Sequence, residues 1–407
     1  MTAWLSIIGC DESADGNLNA SNLALIASAH VIFGAPRLLD KLPETSAEKI
    51  AWGSPMTDMI DKVLENKGLP VVVLATGDPT YYGIAATFAR HVASDEMHIV
   101  PAPSAFSLAC ARLGWAQQNI HTLSLHGRPV ELLHPAIQPG ARIVALTSDA
   151  TTILAIGEII VGRNFSLSKI WVLERMGSPQ ERLVETTADQ LSSLEFDDFN
   201  TVAIECVAGP DAIIRSCVPG LADDAFVHDG QLTKSEVRAA TLAALSPFPG
   251  ALLWDVGAGS GAIGIEWMRA CNATRAMAFE QNAKRCEMIV TNSKNLGVPG
   301  LVLKQGAAPE ILQDAPTPDA IFIGGGLSHD RLFEACWQAL VSGGRLVANV
   351  ATIEGEMQLF ELAQKHGGTL TRIAVSRAEP VGKKMGFKPL RTVTQWRVTK
   401  PLKDKDL

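Results

Sequence analysis

The sequence predicts an α/β protein in two halves, and three observations carry that prediction. Short β-rich runs alternate with helix-patterned stretches along all 407 residues, the mark of strands joined by crossover helices. Hydrophobic residues make up 47% of the chain with only 6% aromatics, which suits aliphatic helices packed on parallel sheets. The length also exceeds what one core usually serves, so two domains are expected, each burying its own core.

In the first half, strands are expected at 5–10, 30–34, 71–76, 98–101, 122–126, 143–148, 169–174 and 201–206. The stretch 217–230 holds Pro219, Gly220 and several aspartates and reads as a linker, which divides the chain into 1–215 and 220–407. A helix follows at 234–245, with Val237, Thr241, Leu242 and Leu245 on one face. Further strands are expected at 251–256, 273–279, 301–305, 319–324 and 345–350. A last pair, at 370–376 and 392–399, is separated by a Gly/Lys-rich loop.

Residues 252–264, L-L-W-D-V-G-A-G-S-G-A-I-G, are the most informative stretch. An apolar run containing Asp255 meets Gly257, Gly259 and Gly261 just before a helical pattern, so the backbone has no Cβ to keep a nucleotide-like ligand away. A strand-to-helix turn also needs glycine for packing alone. Here a second apolar run ends in Glu280, placed to accept hydrogen bonds from both ribose hydroxyls of an adenosine-type cofactor. The terminal strand pair, Asp255 before the glycines, and a third turn at Gln305-Gly306-Ala307 match a seven-stranded Rossmann-like methyltransferase better than a dehydrogenase. An S-adenosylmethionine pocket would then use the Gly257–Gly261 backbone beside the methionine moiety, Glu280 on the ribose and the Gly306–Ala307 backbone near adenine. Many such enzymes carry Asp where this chain has Ala307, so the adenine N6 contact passes to a backbone carbonyl.

The first half carries another signal. Thr76-Gly77-Asp78-Pro79 follows the β-like run P-V-V-V-L-A, at the carboxyl end of a strand where doubly wound sheets bind ligands. Gly-Asp-Pro also favours a plain turn. Pro101-Ala102-Pro103-Ser104 and Ser124-Leu125-His126-Gly127-Arg128 end two further strands and point to the same crevice.

The bulk charge narrows the partners. The chain carries 35 basic and 43 acidic residues, a net charge of -8. Residues 1–220 hold 14 basic and 24 acidic side chains, net -10; the rest hold 21 and 19, net +2. Neither half has the clustered basic excess of a nucleic-acid binder. No apolar run is long enough to span a bilayer and no cleavable leader pattern opens the chain, so a cytoplasmic protein is expected. The seven cysteines are scattered without a Cys-x-x-Cys pair, which points to buried thiols in a reducing compartment and to no zinc site.

Taken together, G-C-D-E-S-A-D-G, F-G-A-P-R-L-L, T-G-D-P-T-Y-Y-G, P-A-P-S-A-F-S-L and S-L-H-G-R resemble the tetrapyrrole methylase superfamily, in its precorrin-6Y C-5 methylase branch. H-D-G-Q-L-T-K-S-E-V-R, L-L-W-D-V-G-A-G-S-G and D-A-I-F-I-G-G-G resemble the partner that methylates C-15 and decarboxylates. Their order in one chain is similar to the fused precorrin-6Y C-5,15-methyltransferase (decarboxylating) family, across nearly the whole length. The resemblance implies a two-lobed tetrapyrrole methylase domain followed by a class I Rossmann-like methyltransferase domain. It further implies methylation of precorrin-6B at C-5 and C-15 with loss of carbon dioxide from the C-12 acetate, giving precorrin-8 in cobalamin biosynthesis. The cofactor implied is S-adenosylmethionine, held in the first half by Gly77 and Asp78, with Ser104 and Gly127 completing that pocket. Gly9 opens the first loop, which faces substrate or cofactor in the family; there the usual G-x-G-P-G is replaced by Gly9-Cys10-Asp11-Glu12. Both parent families associate, which implies a homo-oligomer.

A polycarboxylate tetrapyrrole calls for basic anchors, and Arg128, Arg175, Lys234 and Arg238 are the candidates. His126 and His228 are candidates for proton transfer. Thr233 and Lys234 open the helix that leads into the cofactor domain, where free N–H groups gather, although Thr233 is equally placed to cap that helix. Gly325, central in the triple glycine 324–326, leaves room for a flat macrocycle. No metal or dedicated nucleophile is required, because the macrocycle itself can serve as electron sink. The alternative is a single-site methyltransferase acting on RNA or protein, with the other half a non-catalytic binding or regulatory module.

Overall fold

The computed structural model describes residues 3–13, 15–16, 18–53, 55–327, 329 and 331–402. They form two compact units: the chain up to Val130 with Ala136–Ile213, and Glu131–Pro135 with Ile214 onward.

The first unit holds two sheets. Strands β1 (Leu5–Cys10), β2 (Val31–Gly34), β3 (Glu48–Ala51), β4 (Val71–Thr76) and β5 (Met97–Val100) form one in the order β3-β2-β4-β1-β5. All its pairings are parallel. Its central strands are near-continuous Val, Ile and Leu because both faces are covered. Ile7, Phe33 and Val73 enter one core and Ile8, Ile32 and Leu74 the other.

Strands β6 (His121–Ser124), β7 (Arg142–Leu146), β8 (Lys169–Glu174), β9 (Arg182–Thr187) and β10 (Asn200–Glu205) form the second sheet, ordered β6-β7-β10-β8-β9. Here only β6 and β7 run parallel; β10 is antiparallel to β7 and β8, and β8 to β9. The expectation of purely parallel sheets fails at this point. Residues 175–181 between β8 and β9 are too few for a crossover helix, so that pair is a hairpin.

The second unit centres on seven strands: β11 (Leu252–Val256), β12 (Arg275–Glu280), β13 (Val302–Gln305), β14 (Ala320–Ile323), β15 (Arg345–Val350), β16 (Thr369–Ile373) and, at the end, Val393–Thr399. Between the last two lie β17 (Ser376–Val381) and β18 (Lys384–Pro389), which makes the terminal strand β19. The order is β13-β12-β11-β14-β15-β19-β16, with β19 antiparallel to both neighbours and the others parallel. Trp254, Trp267 and Trp396 are fully buried in its core.

The stretch read as a Gly/Lys-rich loop is instead the β17–β18 hairpin, turning at Gly382 with φ +62°. Its apolar side chains Val381, Met385 and Phe387 are exposed, so no burial pattern announces the strands. The helix Ser235–Leu245 buries Val237, Thr241, Leu242 and Leu245 as expected. Its N-cap is Lys234, without a side-chain cap bond, so the cap considered for Thr233 is not formed. The presumed linker is tied down: Gly220 N–H donates to Glu266 (2.6 Å) and Val227 N–H to Asn292 (2.8 Å). No described helix is long and apolar enough to cross a membrane.

Candidate active sites

In the second unit the glycine turn follows β11. Gly257, Gly259 and Gly261 all have positive φ (+70°, +60° and +79°), which glycine alone adopts without strain. The N–H groups of Gly257 and Ala258 donate to the Phe279 carbonyl at 3.0 and 3.2 Å, Gly259 N–H donates to Glu280 Oε2 at 2.8 Å, and Gly261 N–H donates to the Ala258 carbonyl at 2.8 Å. Four N–H groups of this turn are thus engaged inside the protein. Two acidic residues stand beside this turn. The site suits a phosphate-free, cationic cofactor better than a dinucleotide.

Glu280 is buried, and its two oxygens accept from Gly259 N–H and Asn282 N–H (2.9 Å). Each oxygen keeps a lone pair, enough for two hydroxyl donors. Asp255 is buried more deeply. Its Oδ2 accepts from Gly264 N–H at 2.9 Å, anchoring the helix Ala262–Ala270, while Oδ1 has no hydrogen-bond partner among the described residues. Burial, with the nearby Glu280 charge adding to it, pushes its carboxyl up to about 7.

Glycines line the open side. A Cβ on Gly325 would meet nothing within 4 Å, and one on Gly259 only the Gln231 carbonyl at 3.9 Å. By contrast, Gly257 packs against the Gly325 backbone, Gly261 against Ile289, and Gly324 against the Phe322 ring. Gly306 N–H donates to the Glu280 carbonyl at 3.0 Å, which brings the third turn to the same edge, with Ala307 exposed beside it.

The basic and imidazole candidates of this unit separate. His228 accepts Gly230 N–H on Nδ1 at 3.0 Å and is half-buried. Thr233 is half-buried too, and Lys234 reaches Asp223 at 3.9 Å. Arg238 is wholly buried, pairs with Glu266 and Asp223 at 2.8 Å each, donates to the Leu221 and Thr233 carbonyls and lies over the Phe226 ring. It is a wholly buried cation with all three guanidinium nitrogens engaged, which removes it as a substrate anchor.

In the first unit the strand ends converge on a cavity of about 370 Å³. Gly77, Asp78, Ser104, His126 and Arg128 all line it, together with Cys10, Asp11 and Glu12 of the altered first loop. Gly9 is buried under them: a Cβ there would strike the Gly77 carbonyl and approach Ala102 N to 2.7 Å. Gly77 N–H donates to the Cys10 carbonyl at 2.7 Å, and Asp78 Oδ1 accepts from the Thr80 N–H and hydroxyl. Ser104 caps the helix Ala105–Leu113 by accepting Ser107 N–H.

Gly127, at φ +64°, donates its N–H to Ser148 Oγ at 2.9 Å. His126 Nδ1 lies 3.1 Å from the Thr147 carbonyl; since a carbonyl only accepts, that nitrogen carries the proton and Nε2 is the free acceptor of the neutral ring. Arg175 is bound to Asp197, its Nη2 and Nε both reaching Oδ2 at 2.7 and 2.8 Å, a pairing that diminishes it as an anchor. Arg128 is exposed, with its guanidinium 5.5 Å from the centre of the Tyr82 ring. Sequence reasoning missed Tyr81, Tyr82, Phe199 and Asn200 on the cavity wall. The adjacent aromatics after Gly-Asp-Pro were the available signal.

Residues 14–192 match a family model described as tetrapyrrole (corrin/porphyrin) methylases, and residues 224–400 one described as a precorrin methyltransferase domain. A relative from Sinorhizobium sp., named precorrin-6Y C(5,15)-methyltransferase [decarboxylating], is 43% identical over 98% of this chain and 97% of its own. One of the same name from Mycobacterium tuberculosis (strain CDC 1551 / Oshkosh) is 38% identical over 97% of this chain and 99% of its own. The crystal structure of the C-terminal domain of precorrin-6Y C5,15-methyltransferase from Rhodobacter capsulatus is 45% identical, covering 46% of this chain and 100% of that one, with a TM-score of 0.44. With identity sustained from end to end across both halves, the chain belongs to the precorrin-6Y C(5,15)-methyltransferase (decarboxylating) family.

Proposed function

We propose that this chain methylates precorrin-6B twice, at C-5 in the first unit and C-15 in the second, and releases the C-12 acetate carboxyl as carbon dioxide, a step of cobalamin biosynthesis. The observation that carries the reading is the glycine turn of the second unit, with four N–H donors engaged internally and Asp255 and Glu280 beside it. That turn suits S-adenosylmethionine, which supplies an electrophilic methyl group already activated on sulfur.

The side chains then have to hold and orient rather than activate. In the second unit Glu280 takes the ribose hydroxyls, Gly257, Gly259 and Gly261 admit the methionine moiety, Asp255 and Thr233 support that end, and Gly306 and Ala307 border the adenine. Gly325 admits the flat ring, Lys234 pairs with a substrate carboxylate, and His228 handles protons. In the first unit Gly9, Gly77, Asp78, Ser104 and Gly127 shape the cofactor pocket while Arg128 pairs with a substrate carboxylate. His126, with Nε2 open, is the proton carrier on that side.

The test is mass spectrometry of the product after incubation with precorrin-6B and S-adenosylmethionine. A gain of two methyl groups with loss of one carbon dioxide is expected. A gain of one methyl group removes one unit from the reading, and no gain removes both. Gly325→Val offers a sharper arm: the added side chain has space in the fold, so C-15 transfer should vanish while cofactor binding persists. Unchanged turnover would count against the close approach of the ring there.

A further inference from the structure

The cavity of the first unit has an aromatic wall that none of the roles above uses. Tyr81 and Tyr82 are the two tyrosines of the whole chain, and they stand side by side in the loop after β4. Both line the cavity, and each keeps 44% of its surface exposed. With the buried Phe106 they form a continuous ledge: Tyr81 and Tyr82 meet edge-on at 5.1 Å between ring centres, Tyr81 and Phe106 at 5.1 Å, and Tyr82 and Phe106 at 5.8 Å.

The ledge is fixed in place. Ala85 N–H closes the loop onto the Pro79 carbonyl at 2.9 Å, and Gly83 lies so close to Pro79 that no Cβ would fit. The Tyr81 hydroxyl bonds the Thr122 hydroxyl and the Tyr82 hydroxyl reaches the Thr122 carbonyl at 3.4 Å, so both rings are pinned to β6. Tyr82 holds its position at φ +54°, a conformation strongly disfavoured for a bulky residue. Backbone strain of this kind persists where the surroundings enforce it and gathers at ligand clamps.

Charge completes the picture. Arg128 sets its guanidinium over the Tyr82 ring and, among the described residues, forms no ion pair, whereas Arg37, Arg112, Arg142, Arg175 and Arg182 of the same unit each hold a carboxylate. A rigid apolar ledge of rings beside an unneutralised cation fits a broad conjugated ring system bearing a carboxylate on its rim. S-adenosylmethionine also joins a flat base to a carboxylate, so cofactor affinity is the readout that separates the two.

We infer that Tyr81 and Tyr82 form the platform on which the substrate macrocycle rests for the first methyl transfer, and that Tyr82 also aims Arg128 at a carboxylate of its rim. This rests on the function proposed above. Tyr82 is a positioning residue for Arg128 and a direct contact for the ring.

Steady-state kinetics of C-5 methylation, read with calorimetric titration of S-adenosylmethionine into the full chain, tests the assignment. Tyr82→Ala should raise KM for the precorrin about tenfold, the combined scale of one ring contact and one cation–π contact, and leave the cofactor affinity within about twofold. Tyr82→Phe should stay close to the parent protein. Tyr82→Ala and Arg128→Gln should together raise KM by less than the product of their separate effects, since the first already misaims the arginine. An unaltered KM in Tyr82→Ala, or a weakened cofactor in place of a weakened precorrin, overturns the inference; the latter would give the ledge to adenine. Full multiplicativity in the double variant overturns the aiming role. If the parent protein itself adds no methyl at C-5, it is the proposed function that fails, before any variant is made.

Discussion

Asp255 shows how a single buried side chain sets a measurable property. Its carboxyl titrates near 7 in the folded chain because burial disfavours the charged form, against about 3.9 when unfolded. The folded state therefore holds a proton that the unfolded state releases. The stability this contributes is complete below about pH 4 and is lost as pH rises through about 7. Asp255→Asn should flatten the pH dependence of the second unit's melting temperature across that window, measured without cofactor; an unchanged slope would show that another group governs it. Glu280 makes a different prediction. Glu280→Ala removes the side-chain acceptors of two backbone N–H groups and the proposed ribose contact, so cofactor binding to the second unit should weaken roughly 10- to 100-fold by calorimetry, the scale of one or two hydrogen bonds to a charge. Both residues were legible in the sequence, because an acid ending each of two neighbouring apolar runs has few other reasons to be there. Their geometry was not: nothing in the spacing says that Asp255 turns inward to hold Gly264.

Among the elements, the helix Ser235–Leu245 is held by one cation. Arg238, with Glu266, Asp223 and two carbonyls around it, also shares Asp223 with Arg377 of β17 at 2.9 Å, so helix, hairpin and the 220–223 stretch meet in one network. Arg238→Met leaves the buried Glu266 carboxylate without a cation and takes one of the two arginines from Asp223, and should destabilise the second unit by about 3–5 kcal/mol in denaturant unfolding. Arg238→Lys should recover little, because a single ammonium cannot span the same partners. The sequence suggests a substrate anchor here, since a buried charge looks the same as an exposed one until its partners fold around it. Strands β3 and β9 escape notice for the opposite reason: E-K-I-A and R-L-V-E-T-T are largely exposed edge strands, and their backbone pairing needs no apolar signal. The central strands of both units are legible nearly to the residue because burial on two faces writes itself into composition.

On the proposed function, the chain carries two unlike designs for one cofactor, a cavity where strand ends of two sheets converge and a glycine turn at the edge of a third. The full chain should therefore bind two equivalents of S-adenosylmethionine. Gly77→Val should remove one of them, since Gly77 sits at φ +66° with Pro103 and Ser104 within 3.3 Å of any Cβ, while Gly325→Val should remove neither. One equivalent in the parent protein would leave a single catalytic unit.

The tethering of residues 214–223 has a practical consequence for dissecting the enzyme. Homology to the precorrin methyltransferase domain begins at 224, yet Arg269 donates to the carbonyls of Arg215 and Ser216, Arg238 to that of Leu221, and Glu266 accepts from Gly220. A fragment cut at the homology boundary would take from two buried guanidinium groups and a buried carboxylate part of their partners, leaving Arg238 with Glu266 and Arg269 with the Leu296 carbonyl. Cleavage or truncation should be tolerated only upstream of Ile214, and a fragment beginning there should melt well above one beginning at 224.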